Sequence, residues 1–177
     1  MPKRHYLCLQ PHERKGKAMK KIIVYTDGAC SDNPGGPGGW AATLNYDDRY
    51  DVISGHEVST TNNRMELTAV VEAIKYLVNK NYKNIIINSD SAYVINAINK
   101  EWIHEWAKNE WQTKQKHELA NGDLWRVLYE YYMQNDISIS FNKIAGHSGH
   151  TFNEIADEEA KKEVEHAKQK LFKQFYD

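Results

Sequence analysis

Four acids stand where carboxylate chemistry is possible. Asp27 closes the apolar run Ile22-Ile23-Val24-Tyr25-Thr26, and Asp90 follows a second run, Ile85-Ile86-Ile87, with only Asn88 and Ser89 between. Glu66 lies just beyond the stretch Thr60-Thr61-Asn62-Asn63, and Asp157 sits within the charged segment Glu154 to Glu165. Each has an ordinary structural reading. An aspartate after a strand is a turn former. Asp90 before Ser91 is a credible helix N-cap, Asn63 and Glu66 fit a capping box, and an acid in a charged helix faces solvent. Brought together they read differently. Packed carboxylates repel and raise one another's pKa. Divalent cations of the Mg²⁺ type, with hard oxygen ligands, remove that penalty, and a pair of them can stabilise the attacking and leaving oxygens of a displacement at phosphorus.

The elements that carry these acids are legible from pattern. The two β-branched apolar runs predict strands buried on both faces. Trp40–Tyr46 and Tyr50–Val58 flank Asp47-Asp48 and predict a hairpin. Leu67, Val70, Val71, Ile74, Leu77 and Val78 form one apolar face of a helix that starts among Thr60–Asn63. A helix from Ser91 to about Asn99 follows, then a segment holding Trp102, Trp106 and Trp111. A helix over Asp123–Gln134, a strand over Ile137–Phe141 and a final helix from about Asn153 complete the pattern. Strands followed by crossover helices pair in parallel and hairpin strands antiparallel, so the expectation is an α/β fold with a mixed sheet and helices on both faces. Ligands of such sheets bind beyond the carboxyl ends of parallel strands, where Asp27 and Asp90 fall side by side. A metal-dependent nuclease is the natural reading.

Composition narrows the field. The 177 residues hold 23 Lys and Arg against 24 Asp and Glu, a formal net charge of −1, so binding of nucleic acid by overall charge is excluded and any basic surface is local. A mean hydropathy of −0.75 and no long apolar run argue against a membrane span, and the first twenty residues lack a secretory apolar core. Cys8 and Cys30 are too few for a disulfide framework. The expectation is a cytoplasmic monomer. Residues 1–20 read as a basic, flexible extension, 21–168 as the catalytic domain and 169–177 as a C-terminal tail; residues 1–21 hold seven Lys or Arg against Glu13.

Several segments in register resemble ribonuclease H of type 1. They are Tyr25-Thr26-Asp27-Gly28-Ala29-Cys30, Asn33-Pro34-Gly35, Thr60 through Leu67, Ser89-Asp90-Ser91, Asp123-Leu124-Trp125, and Gly146-His147-Ser148-Gly149-His150 with Asn153-Glu154 and Asp157. The resemblance implies the ribonuclease H-like fold, a five-stranded sheet in the order 3-2-1-4-5. It implies an endonuclease that hydrolyses the RNA strand of RNA–DNA hybrids and leaves 3′-hydroxyl and 5′-phosphate ends. Two Mg²⁺ ions, replaceable by Mn²⁺, would be held by Asp27, Glu66, Asp90 and Asp157, with His147 assisting proton movement or product release.

The same resemblance distributes the substrate contacts. Cys30, Asn33, Asn62 and Asn63 match positions that contact the RNA strand, where a 2′-hydroxyl is read by groups that donate and accept. Thr61, Arg64, Trp102, Trp106 and Asn121 match positions on the DNA strand, and Trp125 reads as core. Three features depart from the family pattern. The 100–126 segment, basic in some bacterial members, holds five Lys or Arg and five acids here, Ala92 replaces a glutamine, and Ser59 replaces an arginine. Two other readings share the fold: a non-catalytic nucleic-acid-binding domain, and a superfamily nuclease acting on DNA. The intact set of four acids argues against the first, and the Thr61–Leu67 and Gly146–His150 segments argue against the second.

Overall fold

The computed structural model describes residues 20–146 and 149–176. Residues 1–19, expected as a basic extension, lie outside it, as does His147. The chain runs β1 (Lys21–Cys30), β2 (Gly38–Asn45), β3 (Tyr50–Glu57), α1 (Asn62–Asn79), β4 (Asn84–Ser89), α2 (Ala92–Asn99), α3 (Trp102–Lys108), α4 (Gly122–Tyr132), β5 (Ser138–Lys143) and α5 (Thr151–Tyr176). The sheet order is β3-β2-β1-β4-β5, as the resemblance implies. The β1/β2 and β2/β3 pairings are antiparallel, and β1/β4 and β4/β5 are parallel.

Alternation along β1 assigns the two faces. Ile22 and Val24 point into the main core with Leu67, Val70, Ile74, Leu77, Ile85, Ile87 and the fully buried Trp125. On the other face Tyr25 stacks on Phe152 of α5 at 6.0 Å between ring centroids. Helix α5 meets the sheet through Ala156, Ala160, Val164 and Ala167, all buried, a stripe small enough to bring its backbone against β2. Gly39 makes that approach possible, since a Cβ there would lie 2.2 Å from the Ala160 carbonyl oxygen.

Two local expectations are corrected. Helix α1 is capped by Thr61, whose Oγ1 accepts from the Arg64 amide at 3.2 Å, so Asn63 and Glu66 form no capping box. The helix starts earlier because Asn33 Oδ1 accepts from the Asn62 amide at 3.0 Å and fixes the chain entering it. Residues 169–176, expected as a tail, continue α5. Good helix formers and ion pairs one turn apart, such as Lys161–Asp157 and Lys168–Glu165, sustain it.

Candidate active site

The capping reading of Asp90 fails as well: α2 is capped by Ser91, whose Oγ accepts from the Val94 amide at 3.3 Å. Asp90 and Glu66 are thus left without the helix-start roles that could have explained them. Asp27, one residue beyond the last β1–β4 pair at Thr26 and Ser89, accepts from the Gly28 amide at 2.8 Å. Glu66 enters from the N-terminal part of α1, just past its first turn, and the helix crosses the end of β1 so closely that a Cβ on Gly28 would lie 2.3 Å from the Glu66 nitrogen. That position requires glycine. Together these elements place carboxylate oxygens of Asp27, Glu66 and Asp90 within 4.8 Å of one another.

Electrostatics identify the cluster as strained in the absence of a cation. Burial, and then the charges of Asp27 and Asp90, raise the Glu66 pKa to about 9, partly offset by a hydrogen bond from the Asn62 side chain and by the Lys143 ammonium. Burial raises Asp27 to about 7, and the nearby Asp90 and Asp157 add to it against the pull of the Gly28 amide. Glu66 is only 7% exposed, and its Oε2 has no hydrogen-bond partner. A buried carboxylate oxygen without a donor, beside two further carboxylates, fits a hard divalent cation. Asp157 approaches from α5. Its carboxyl shares a hydrogen bond with Asp27 and accepts from Lys161 Nζ at 2.6 Å, and it lies outside the tight group of three.

Two further residues neighbour the cluster, and of these Lys143 carried no sequence signal. Lys143, at the end of β5, donates through Nζ to the Asp90 carbonyl. Gly146 packs against Asp90, where a Cβ would lie 2.6 Å from Oδ2.

The expected substrate residues divide. Asn33, Asn63, Thr61 and Asn121 line one recess of about 440 Å³ with Pro34, Tyr93 and Ala120, so residues assigned to opposite strands share a surface. Tyr93, absent from the sequence-based set, organises it: its hydroxyl accepts from Asn121 Nδ2 at 3.0 Å and from Trp125 Nε1 at 2.9 Å. Asn62 lies at the helix start, with its amide on Asn33. Cys30 ends β1 with its thiol 3.5 Å from the carbonyls of Ser31, Gly36 and Thr60. Arg64 is held between the carboxylates of Glu57, at 3.2 Å, and Asp123, at 2.9 Å. Its charge is therefore largely answered within the protein. Trp102 is 42% exposed, whereas Trp106 packs onto Trp125 at 5.1 Å between centroids and belongs to the support beneath it.

The fold is shared with solved ribonuclease H structures. The chain superimposes on LC9-RNase H1, a type 1 RNase H with the type 2 active-site motif, with a TM-score of 0.74 and 26% identity, covering 84% of this chain and 74% of that one. It shares its fold with LC11-RNase H1 in complex with an RNA/DNA hybrid, at a TM-score of 0.60 and 19% identity, covering 80% and 98% of the two chains. The RNase H family model matches residues 19–165. Ribonuclease H of Caldicellulosiruptor saccharolyticus is 48% identical over 143 residues, covering 81% of this chain and 95% of the relative. Ribonuclease H of Syntrophomonas wolfei is 47% identical over 146 residues, covering 82% and 97%. This chain belongs to the ribonuclease H family.

Proposed function

We propose that the protein is an endonuclease that hydrolyses the RNA strand of RNA–DNA hybrids with two divalent metal ions, Mg²⁺ or Mn²⁺, leaving 3′-hydroxyl and 5′-phosphate ends. The observation that carries this reading is the convergence of Asp27, Glu66 and Asp90 within 4.8 Å, with Glu66 Oε2 buried and unpartnered, in a chain of this family. Asp27, Glu66, Asp90 and Asp157 would hold the ions. Such ions, when bound, supply an activated water and charge neutralisation for the leaving oxygen.

The protein's own groups do the rest. Asp27 stands between the Glu66–Asp90 pair and Asp157, so it is the carboxylate able to serve both sides of the site. The recess formed by Asn33, Thr61, Asn63 and Asn121 offers amides and a hydroxyl that accept from a ribose hydroxyl or donate to a phosphate. Tyr93 fixes Asn121 through its hydroxyl. Trp102, exposed beside Lys100 whose Nζ lies 5.1 Å from the ring centroid, presents an aromatic face to a strand lacking 2′-hydroxyls. His147 enters by its motif alone, as a group able to move a proton near neutrality.

The test is an end-labelled RNA–DNA hybrid incubated with Mg²⁺, with Mn²⁺ and with chelator, beside RNA duplex, DNA duplex and single strands. Cleavage confined to the RNA of the hybrid, dependent on metal and leaving 5′-phosphates, is expected. Binding of the hybrid without cleavage under either metal would make the protein a binder, and cleavage of DNA duplex would assign it to another nuclease class.

A further inference from the structure

A second group of metal-ligating side chains lies away from the carboxylate cluster. His56 on β3 and Glu163 and His166 on α5 bring two imidazole nitrogens and a carboxylate oxygen within 4.8 Å of one another. Glu163 Oε2 lies 2.6 Å from His56 Nδ1 and 3.4 Å from His166 Nδ1. The other oxygen, Oε1, accepts from Ser54 Oγ at 3.0 Å, so the carboxylate is oriented with one oxygen left for the two rings. The Glu163 side chain is only 15% exposed. Its placement follows from the packing of α5: His56 pairs with Gly39 across the sheet, and a Cβ on Gly39 would lie 2.7 Å from Glu163 Cβ. The helix rests on bare backbone there, and Glu163 is delivered to the side chains of the edge strand.

We propose that His56, Glu163 and His166 form a binding site for a borderline-soft divalent cation of the Zn²⁺ type, which clamps α5 to β3. Two imidazoles with one carboxylate are a donor set of zinc centres, with Zn–N near 2.0–2.1 Å and an open fourth position for water. Those bond lengths put the ligand atoms of a tetrahedral site about 3.3 Å apart, which the His166–Glu163 pair already matches at 3.4 Å. The His56–Glu163 pair, at hydrogen-bond spacing, opens by about 0.7 Å when the ion replaces the shared proton and the imidazole takes its Nε2–H tautomer. The rings meet at 63° with centroids 6.3 Å apart, so they are not stacked face to face and both can turn Nδ1 to one point. His166, with 57% of its side chain exposed, leaves the remaining position to water. Imidazole donors separate this site from the all-carboxylate cluster, since Mg²⁺ prefers oxygen ligands. Asp157 precedes Glu163 by six residues, about 9 Å along the helix, so the clamp would anchor the helix that carries it.

The experiment uses the full chain in saturating Mg²⁺, which occupies the carboxylates. Zn²⁺ is titrated calorimetrically, Co²⁺ is followed by its visible absorption, and the melting temperature is read with each ion. The wild type should take one Zn²⁺, develop a Co²⁺ band of low coordination number, and melt about 5–10 °C higher at a hundredfold excess over Kd. His56→Gln and His166→Gln, read singly and together with circular dichroism to confirm folding, should lose the band and the thermal shift. A wild type with neither band nor shift overturns the site. So does a band or shift retained in the folded double variant, which would assign the ion to other residues.

Discussion

Asp27 and Glu66 bind protons more tightly in the folded chain than in the unfolded one, with pKa values of about 7 and about 9 against ordinary values of 3.8 and 4.5. Their burial is therefore tolerated at acid pH and opposes the fold as pH rises through that interval. Metal-free protein should lose thermal stability between about pH 4 and 9. Asp27→Asn and Glu66→Gln, which remove the charge, should melt higher than the wild type in chelator at pH 8. Their turnover should fall by more than the 10–100-fold typical of removing an outer-shell partner of a metal site. Melting curves across pH, with and without Mg²⁺, check both halves; a variant that loses stability in step with activity would return that acid to a structural role. His147→Ala should slow turnover less than either substitution, and an equal loss in single-turnover kinetics would place it on the same footing as the acids. Asp27 and Asp90 were readable because each follows a strong β-branched apolar run, whereas Glu66 and Asp157 stood out only through the segments that resemble the family. Lys143 and Tyr93 were not readable: their approach to Asp90 and Asn121 comes from tertiary packing, and neither residue type announces it.

At the scale of elements, the start of α1 does two jobs. It presents Glu66 to the cluster and Thr61 and Asn63 to the recess, and both depend on where the helix begins. Thr60, Thr61, Asn62 and Asn63 are all able caps, so sequence alone left the choice open; the hydrogen bond from Asn33, 29 residues earlier, settles it on Thr61. Thr61→Ala should therefore cost about 1 kcal/mol in denaturant unfolding and also weaken hybrid binding, because the recess then lacks a hydroxyl. Thr61→Ser should restore both. Recovery of stability without recovery of affinity would show that the methyl group, not the hydroxyl, faces the substrate. The strands and their order were legible because buried β-branched runs and a short polar hairpin leave few alternatives. The extent of α5 was not, since a charged surface helix has a weak apolar stripe and no stop signal near residue 168.

Across the whole molecule, charge is distributed so that the surface proposed to meet the substrate has little cationic surplus. The 100–126 segment balances five Lys or Arg against five acids, and Arg64 is answered by Glu57 and Asp123. Yet a hybrid is a dense polyanion, and each phosphate neutralised contributes to affinity through counterion release. The imbalance lies in residues 1–21, with seven Lys or Arg against one acid. Deleting residues 2–19 removes Lys3, Arg4, Arg14, Lys15 and Lys17 along with Glu13. The truncated protein should show a raised KM for a hybrid at physiological salt, an unchanged kcat, and a flatter dependence of log KM on log salt. Every phosphate that the extension neutralises should add about 0.9 to the slope of the intact chain, and the truncation should remove that increment. Because the metal-ligand candidates all lie beyond residue 21, kcat separates a binding role from damage to the site. An unchanged KM with an unchanged slope would mean that the extension touches no phosphate, and the recess and Trp102 would then have to hold the hybrid by hydrogen bonding and stacking.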